Sequence, residues 1–508
     1  MKRLPKPDSG FLRLPPPLAK SLGEVLFALA GALAFTATLF LHRTSLPRLT
    51  EAAGIYVLVC AAIYLTRFHL RSVPLGGIPT QIAGRMLMLV SLMGVLGVQV
   101  LNVALDERAL VGSGLLLTVP LLAQAMLSSA LLGPAVALFA LTLACLMLGI
   151  NGAAGLDMLV VSWIGAAVGA HAVNPIKQRN DLLRATSIVA AAQSLIAGCA
   201  VAMVSTTWQP VLSSIGWAAL GAVLACSFFW MSIAIFERIF GITSDWSLLE
   251  LCSPEHPLLR ELVLRAPGTY AHSVIVGNLA ENAAREIGAN PVLARAMAYF
   301  HDIGKLSRPS HFIENQIDKN PHDDLPPRVS AAVLFGHVQD GLELAHTSRL
   351  PKVIRDGIAE HHGTCLVSYF FNRALQIHTE VSPGELERQF RYPGPKPRRK
   401  ESGILMLADT IEASSRLVSR GQTEELEILI NRLVEEKYAD GQLSECDLTF
   451  RDLSRIKESF LRTLGALRHE RISYPDAVLL EEDHVRNTDF DLQQLPKAGD
   501  DPETPRHA

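Results

Sequence analysis

Residues 298–309 read AYFHDIGKLSRP, and the adjacent His301 and Asp302 stand where an apolar helical run would normally end. Successive helical side chains diverge by about 100°, so such a pair does not close on one ion as an i, i+4 pair does. It presents an imidazole and a carboxylate around a corner, and a carboxylate with two oxygens can bridge two cations. Further nitrogen and oxygen donors recur along the chain: His272 in APGTYAHSVIVGNLAENA, His337 in LFGHVQDGLELA, His361 and His362 in IAEHHGT, and Asp409 in GILMLADTIEASSR. Asp409 lies between Leu407 and Ile411, where an unpaired carboxylate is costly to bury unless a cation or hydrogen bonds receive it. Taken singly, His272 and His337 read as hydrogen-bonded or surface histidines. His361 and His362 alone read as a basic helix C-terminus favoured by the macrodipole, and Asp409 as a buried capping acid. Five histidines and two aspartates, all at helix ends or on apolar faces, point jointly to metal chemistry.

These residues need helices to hold them. Ala294 to Phe300 predicts a helix delivering His301 and Asp302 in its last turn, with Gly304 reversing the chain. His272 falls near the start of an amphipathic helix whose Val274, Ile275 and Leu279 face inward. PVLARAMAYF and LPKVIRDGIAEHHG carry the helical period, and strand-like alternation is nearly absent beyond Ser244. RYPGPKPRRK (391–400) is a loop, since its prolines and glycine interrupt any helix. The segment after Pro475 is acidic and reads as disordered.

The first half is of another kind. Of 508 residues, 49% are hydrophobic, too many for an ordinary soluble chain. No charge occurs from Ala109 to Leu156, a stretch longer than twice the roughly 20 residues that cross a hydrocarbon core. It predicts two spans broken near Gly133-Pro134. Leu22–Leu41, Ala52–Thr66, Met86–Leu105, Met158–Val173, Thr186–Trp208 and Val211–Phe236 bring the expectation to about eight, embedded in a lipid bilayer. The first reads as a span rather than a signal peptide, because no small-residue cleavage site follows its long apolar run. Basic residues gather in the N-terminal arm (Lys2, Arg3, Lys6, Arg13, Lys20), around Arg67, Arg71 and Arg85, and around Lys177, Arg179 and Arg184. By the positive-inside rule these loops and everything after Phe236 are cytoplasmic, in the cell's plasma (inner) membrane. Arg43, Arg48 and Arg108 fall outside. The net charge of −3 gives no sign of a nucleic-acid surface. Seven scattered cysteines without a C-x-x-C pair indicate neither a disulfide framework nor a zinc knuckle.

The expected organisation is all-α: an arm (1–21), a transmembrane domain of about eight helices (22–236), a connector (237–255), a cytoplasmic helical domain (256–474) and a tail (475–508). His272, His301-Asp302 with Ile303-Gly304-Lys305, His337, His361-His362 and Asp409 resemble the HD-domain metal-dependent phosphohydrolases. GTYAHS, YFHDIGKLSRPSHFIENQ, NPHDDL, HHGTCLVSYF, FRYPGPKPRRKES and MLADTIEASSR make the chain similar to one branch, the membrane-embedded HD-domain cyclic di-AMP phosphodiesterases of the PgpH type. The resemblance covers about Ser244 to Tyr474 and the multi-span region before it.

That resemblance implies a binuclear site. His272, His301, Asp302 and Asp409 would hold one ion, and Asp302, His337, His361 and His362 the other, with His301-Asp302 at the catalytic centre. Donors without thiolate suit manganese or iron. Lys305 and Arg308 are candidates to neutralise phosphate, and Tyr369 to stack on a base. Lys305 and Arg308 also read as a solvated basic turn, and Tyr369 as core. The implied activity is opening of cyclic di-AMP to the linear dinucleotide, by a chain that could form a homodimer. The same ligands would serve a hydrolase of cyclic di-GMP or guanosine polyphosphates, or a receptor that binds nucleotide without turnover. Where cyclic di-GMP enzymes of the superfamily carry a GYP signature after the double histidine, this chain has Gly-Thr-Cys. PgpH-type proteins also carry a large extracytoplasmic domain after the first span, whereas about ten residues, HRTSLPRLTE, stand there in this chain.

Overall fold

The computed structural model describes residues 16–468 except 42–46, 74, 76–77, 106–112, 175–178, 317–318, 378–381 and 420–421. The predicted tail and most of the N-terminal arm lie outside the described residues. Eight helices precede Gly241 among those described: α1 (Pro16–Leu39), α2 (Leu49–Ser72), α3 (Thr80–Ala104), α4 (Thr118–Leu132), α5 (Pro134–Ile150), α6 (Leu156–Ala172), α7 (Arg179–Ala202) and α8 (Trp208–Phe240). Five are long and apolar enough to cross a membrane; Gly23–Leu39, Pro134–Ile150 and Leu156–Ala172 are apolar but shorter. The uncharged stretch breaks as predicted. Gly133, with φ 92°, ends α4, and Pro134 opens α5, where its missing N–H costs nothing. Some expected bounds shift: Ala52–Thr66 is the middle of the longer α2, and α7 begins at Arg179 and ends at Ala202, short of the Trp208 limit read from hydropathy.

This is a membrane protein, and its surface says why. Val57, Tyr64, Phe68, Leu195 and Met231 are each more than 60% exposed on apolar helices, which water would not tolerate over such an area. The interior instead holds the polar side chains, which bond across helices: Gln99 Nε2 donates to Leu39 O at 3.0 Å, and Gln124 Nε2 to Ser91 Oγ at 3.1 Å.

Beyond Gly241 the fold is an all-helical domain: α9 (Asp245–Leu251), α10 (Pro257–Arg265), α11 (Pro267–Glu286), α12 (Pro291–Phe300), α13 (Pro327–Thr347), α14 (Lys352–Glu360), α15 (Ser368–Ile377), α16 (Pro383–Gln389), α17 (Lys400–Ser415), α18 (Thr423–Ala439) and α19 (Phe450–Arg468). Among the described residues the only extended pairing is one isolated bridge, Leu366 with Arg391 in the proline-rich loop. α11 is central, packed against α12, α17 and α19. Its Ile275 and Leu279 turn inward as predicted, but the fully buried valine is Val276, and Val274 is only half-buried. Asn290 caps α12 by accepting from Leu293 N at 3.0 Å, and Pro291 pre-sets the first turn. α12 ends at Phe300, so His301 and Asp302 stand at its C-terminus.

Candidate metal centre

Five helices converge on one buried point. α11 brings His272, the end of α12 brings His301 and Asp302, α13 brings His337, the end of α14 brings His361 and His362, and α17 brings Asp409. His301 and Asp302 are 0% and 2% exposed. Gly304 does not reverse the chain in a left-handed conformation, as the sequence suggested. It lies in a short 3₁₀ turn (Ile303–Ser307), and a Cβ on it would fall 1.8 Å from His337 O and 2.5 Å from Gly341 N. Gly304 is therefore there for close approach, letting the turn after Asp302 rest on α13. The reversal after the double histidine does need its glycine: Gly363 has φ 51°.

Asp302 sorts the histidines into two groups. Its Oδ2 lies 3.1 Å from His301 Nε2 and 3.7 Å from His272 Nε2, while its Oδ1 faces His337 Nε2 at 3.4 Å and His361 Nε2 at 3.8 Å. Asp409 Oδ1 adds to the first group, 3.0 Å from His272 Nε2 and 3.7 Å from His301 Nε2. His362 clusters with His337 and His361, and its Nδ1 also comes within 3.9 Å of Asp409 Oδ2.

Backbone carbonyls orient the rings. His301, His337 and His361 each donate Nδ1–H to the carbonyl three residues earlier, Ala298 at 2.6 Å, Leu334 at 2.5 Å and Ile358 at 2.8 Å. A carbonyl can only accept, so each Nδ1 carries a proton and each Nε2 is free to turn a lone pair inward. His337 Nε2 and His361 Nε2 then face each other at 3.2 Å. His301 Nε2 and Asp302 Oδ1 are buried with no hydrogen-bond partner among the described residues. Lone pairs gathered in this way call for cations, and nitrogen and carboxylate donors without thiolate fit divalent metal.

Electrostatics agree. Burial alone would raise the Asp302 carboxyl, but His301 and Lys305 hold it well below the ordinary carboxylate range. Asp409 is likewise held down, against burial, by His272 and His301. Burial, reinforced by neighbouring imidazoles, pushes His361 down to about 3 and His362 well below its usual value, leaving both neutral and fit to ligate. His301 goes the other way: against burial, Asp302 and Asp409 raise it to about 10.

Residues the sequence reading passed over complete the centre. Glu412, one turn beyond Asp409 on α17, accepts from His272 Nδ1 at 2.6 Å and is itself held by Arg416 Nη2 at 2.8 Å. Its i+3 spacing from Asp409 was the available signal. Glu360, just before the double histidine, accepts from Ser402 Oγ at 2.7 Å and Arg398 N at 3.1 Å, tying α14 to the start of α17. Tyr392 lies with its ring 4.3 Å from that of His362, and nothing in the loop's composition marked it.

The candidate substrate residues separate. Lys305 lines a cavity of about 260 Å³ together with His272, His337, His362, Tyr392 and Asp409. Its Nζ is engaged by Asp302 Oδ2 and Glu314 Oε1, each at 2.7 Å. Arg308 is exposed and does not line this cavity. Neither does Tyr369, which is 62% exposed and set edge-on to Phe370.

Residues 25–244 match the family described as 7TM receptor with intracellular HD hydrolase, and residues 269–414 match the HD domain. The chain is 44% identical over 243 residues to the cyclic-di-AMP phosphodiesterase PgpH of Bacillus subtilis (strain 168), covering 48% of this chain and 34% of the relative. It is 39% identical over 266 residues to the PgpH of Listeria monocytogenes serotype 1/2a (strain 10403S), covering 52% and 36%. The chain thus matches about a third of the length of these relatives. A crystal structure of the L. monocytogenes PgpH HD domain in complex with cyclic di-AMP is 40% identical, covering 43% of this chain and all of that one, with a TM-score of 0.41. The resemblance to membrane-embedded HD-domain phosphodiesterases of the PgpH type is shown.

Proposed function

We propose that this chain is a membrane-anchored phosphodiesterase that opens cyclic di-AMP to the linear dinucleotide pApA on the cytoplasmic side of the plasma membrane. One observation carries the reading: the two oxygens of the buried Asp302 face two different sets of histidine nitrogens. A single-metal or purely structural centre would have no use for that division. His272, His301, Asp302 and Asp409 hold one divalent ion, and Asp302, His337, His361 and His362 the other, manganese or iron by the donor set. Such a pair, when bound, supplies positive charge at phosphoryl oxygens and acidifies a shared water.

The protein groups do the rest. Glu412 fixes the His272 ring by accepting its Nδ1 proton, and the carbonyls of Ala298, Leu334 and Ile358 do the same for three other rings. Lys305, anchored by Glu314, holds positive charge beside the reacting phosphate. Tyr392, set against His362, offers a face to a base. Cyclic di-AMP comes from the named activity of the two relatives, and the cytoplasmic placement from the basic residues around Arg67, Arg71 and Arg85.

The test is turnover by the full chain in nanodiscs, loaded with manganese, on cyclic di-AMP, cyclic di-GMP and a guanosine polyphosphate side by side. A higher kcat/KM for cyclic di-AMP, with pApA as product, is expected. Equal or reversed preference would reassign the substrate, and binding without turnover under several metals would make the chain a receptor.

A further inference from the structure

The short turn Ile313–Asn315 is tied down from two sides. Glu314 Oε1 accepts from Lys305 Nζ at 2.7 Å and from Thr269 Oγ1 at 3.0 Å. Asn315 closes on the same threonine: its Oδ1 accepts from Thr269 N at 3.2 Å, and its Nδ2 donates to Thr269 Oγ1 at 2.8 Å. Gly268 permits the approach, since a Cβ there would fall 1.9 Å from Glu314 O. The turn is thereby fixed to the start of α11 and, through Lys305, to Asp302. Phe312, just before it, is buried, with the Lys305 Nζ 5.0 Å from its ring centroid and the His337 ring at 5.7 Å. Ile313 is 81% exposed, and it lines the metal-centre cavity with Lys305, Phe312, Leu334 and Tyr392.

A solitary exposed isoleucine is ordinary on a protein surface. This one differs in two respects: the residues that follow it are bonded to two other elements, and its side chain borders the cavity that holds the metal ligands. An apolar group on a fixed backbone meets a ligand with little further loss of freedom. Bases taken up by enzyme pockets lie against aromatic or apolar side chains. In a cyclic dinucleotide every phosphate has a nucleoside on either side, so a phosphate at the metals brings two bases to the walls around it. Tyr392 provides for one. We propose that Ile313 contacts the other, packing on the face of an adenine beside the reacting phosphate as a substrate-binding residue. This contact rests on the reading of the chain as a cyclic di-AMP phosphodiesterase, and it names the wall that meets the second base.

The test compares the parent, Ile313→Ala and Ile313→Leu, as full chains in nanodiscs with manganese, on cyclic di-AMP and on methyl p-nitrophenyl phosphate, a diester without a base. Ile313→Ala is expected to raise KM for cyclic di-AMP about tenfold, the measure of the methylene groups lost from the contact, with a much smaller change in kcat. The ratio of kcat/KM on cyclic di-AMP to that on the plain diester should fall by the same factor. Ile313→Leu should restore both. Filter binding of radiolabelled cyclic di-AMP in the cold, read before turnover, should report the same loss as a dissociation constant. A parent that neither binds nor opens cyclic di-AMP would overturn the assigned substrate and this contact with it. A parent that does either, matched by Ile313→Ala in KM and dissociation constant, would overturn the contact alone. An equal loss on both substrates would overturn it too, by making Ile313 part of the packing around the metals.

Discussion

The membrane domain and the HD domain each bury a carboxylate among charged neighbours, and the two clusters are unbalanced in opposite directions. Glu24 has two guanidinium groups for one carboxylate. Asp302 sits amid histidine nitrogens whose lone pairs meet one another, as His337 Nε2 and His361 Nε2 do at 3.2 Å. The first cluster has donors to spare, on arginines that are 38% and 46% exposed; the second is buried with acceptors to spare and suits cations. Arg391, by contrast, has its guanidinium taken up within the chain by two carboxylates, Asp440 (Nη2 to Oδ1 at 2.8 Å) and Glu387 (Nη2 to Oε1 at 2.7 Å). What a charge cluster lacks, rather than what it contains, tells the sign of its partner.

Removing the acceptor common to both histidine groups should have the largest effect. Asp302→Ala is expected to strip both metals, as read by elemental analysis, and to lower turnover by about 10³-fold or more, while circular dichroism shows the helices intact. Two ions per chain with near-normal activity would end the bridging role and the contrast with Glu24.

Glu412→Gln keeps the shape and removes the charge behind His272. A loss of about 10–100-fold in metal affinity or activity is the usual result of altering such an outer partner. Metal titration of the apo protein measures it, and an unchanged affinity would show that His272 needs no orienting acid.

Gly304→Ala forces a Cβ against the His337 carbonyl, and strain of this kind costs about 1–3 kcal/mol or more. A lower melting temperature should accompany looser metal binding, because the displaced backbone carries Asp302 and His337 together. An unchanged melting temperature would mean that the turn can move aside freely.

The pairing of Arg391 with Asp440 should give the smallest effect, confined to stability. Burial would raise the Asp440 carboxyl, but Arg391 and Gln442 lower it below the ordinary range. Its contribution is present above the unfolded-state pKa and lost as pH falls through the folded one. Asp440→Asn should therefore be less stable than the parent near neutrality, with the gap closing on acidification and no loss of metal. A gap constant with pH would show that the pairing contributes packing rather than charge.

Much of this molecule was legible in its residues. The uncharged run from Ala109 to Leu156 demanded two spans, and Gly133-Pro134 located the break, because chain conformation at those residues is a local property. The donors were legible too, since His301-Asp302 and Asp409 interrupt apolar helical runs where only function tolerates them. Three things were not. Gly304 was assigned to a chain reversal, but its reason is a helix that packs against it from more than thirty residues away. Arg308 and Tyr369 are close in sequence to metal-centre residues yet turn outward, whereas Tyr392, in a proline-rich loop, turns in. The division of Asp302 between two sets of nitrogens depends on five helices meeting. Local sequence determines which side chains can ligate and where helices start and stop; which of them meet, and whether a cluster ends with charge left over, is a property of packing alone.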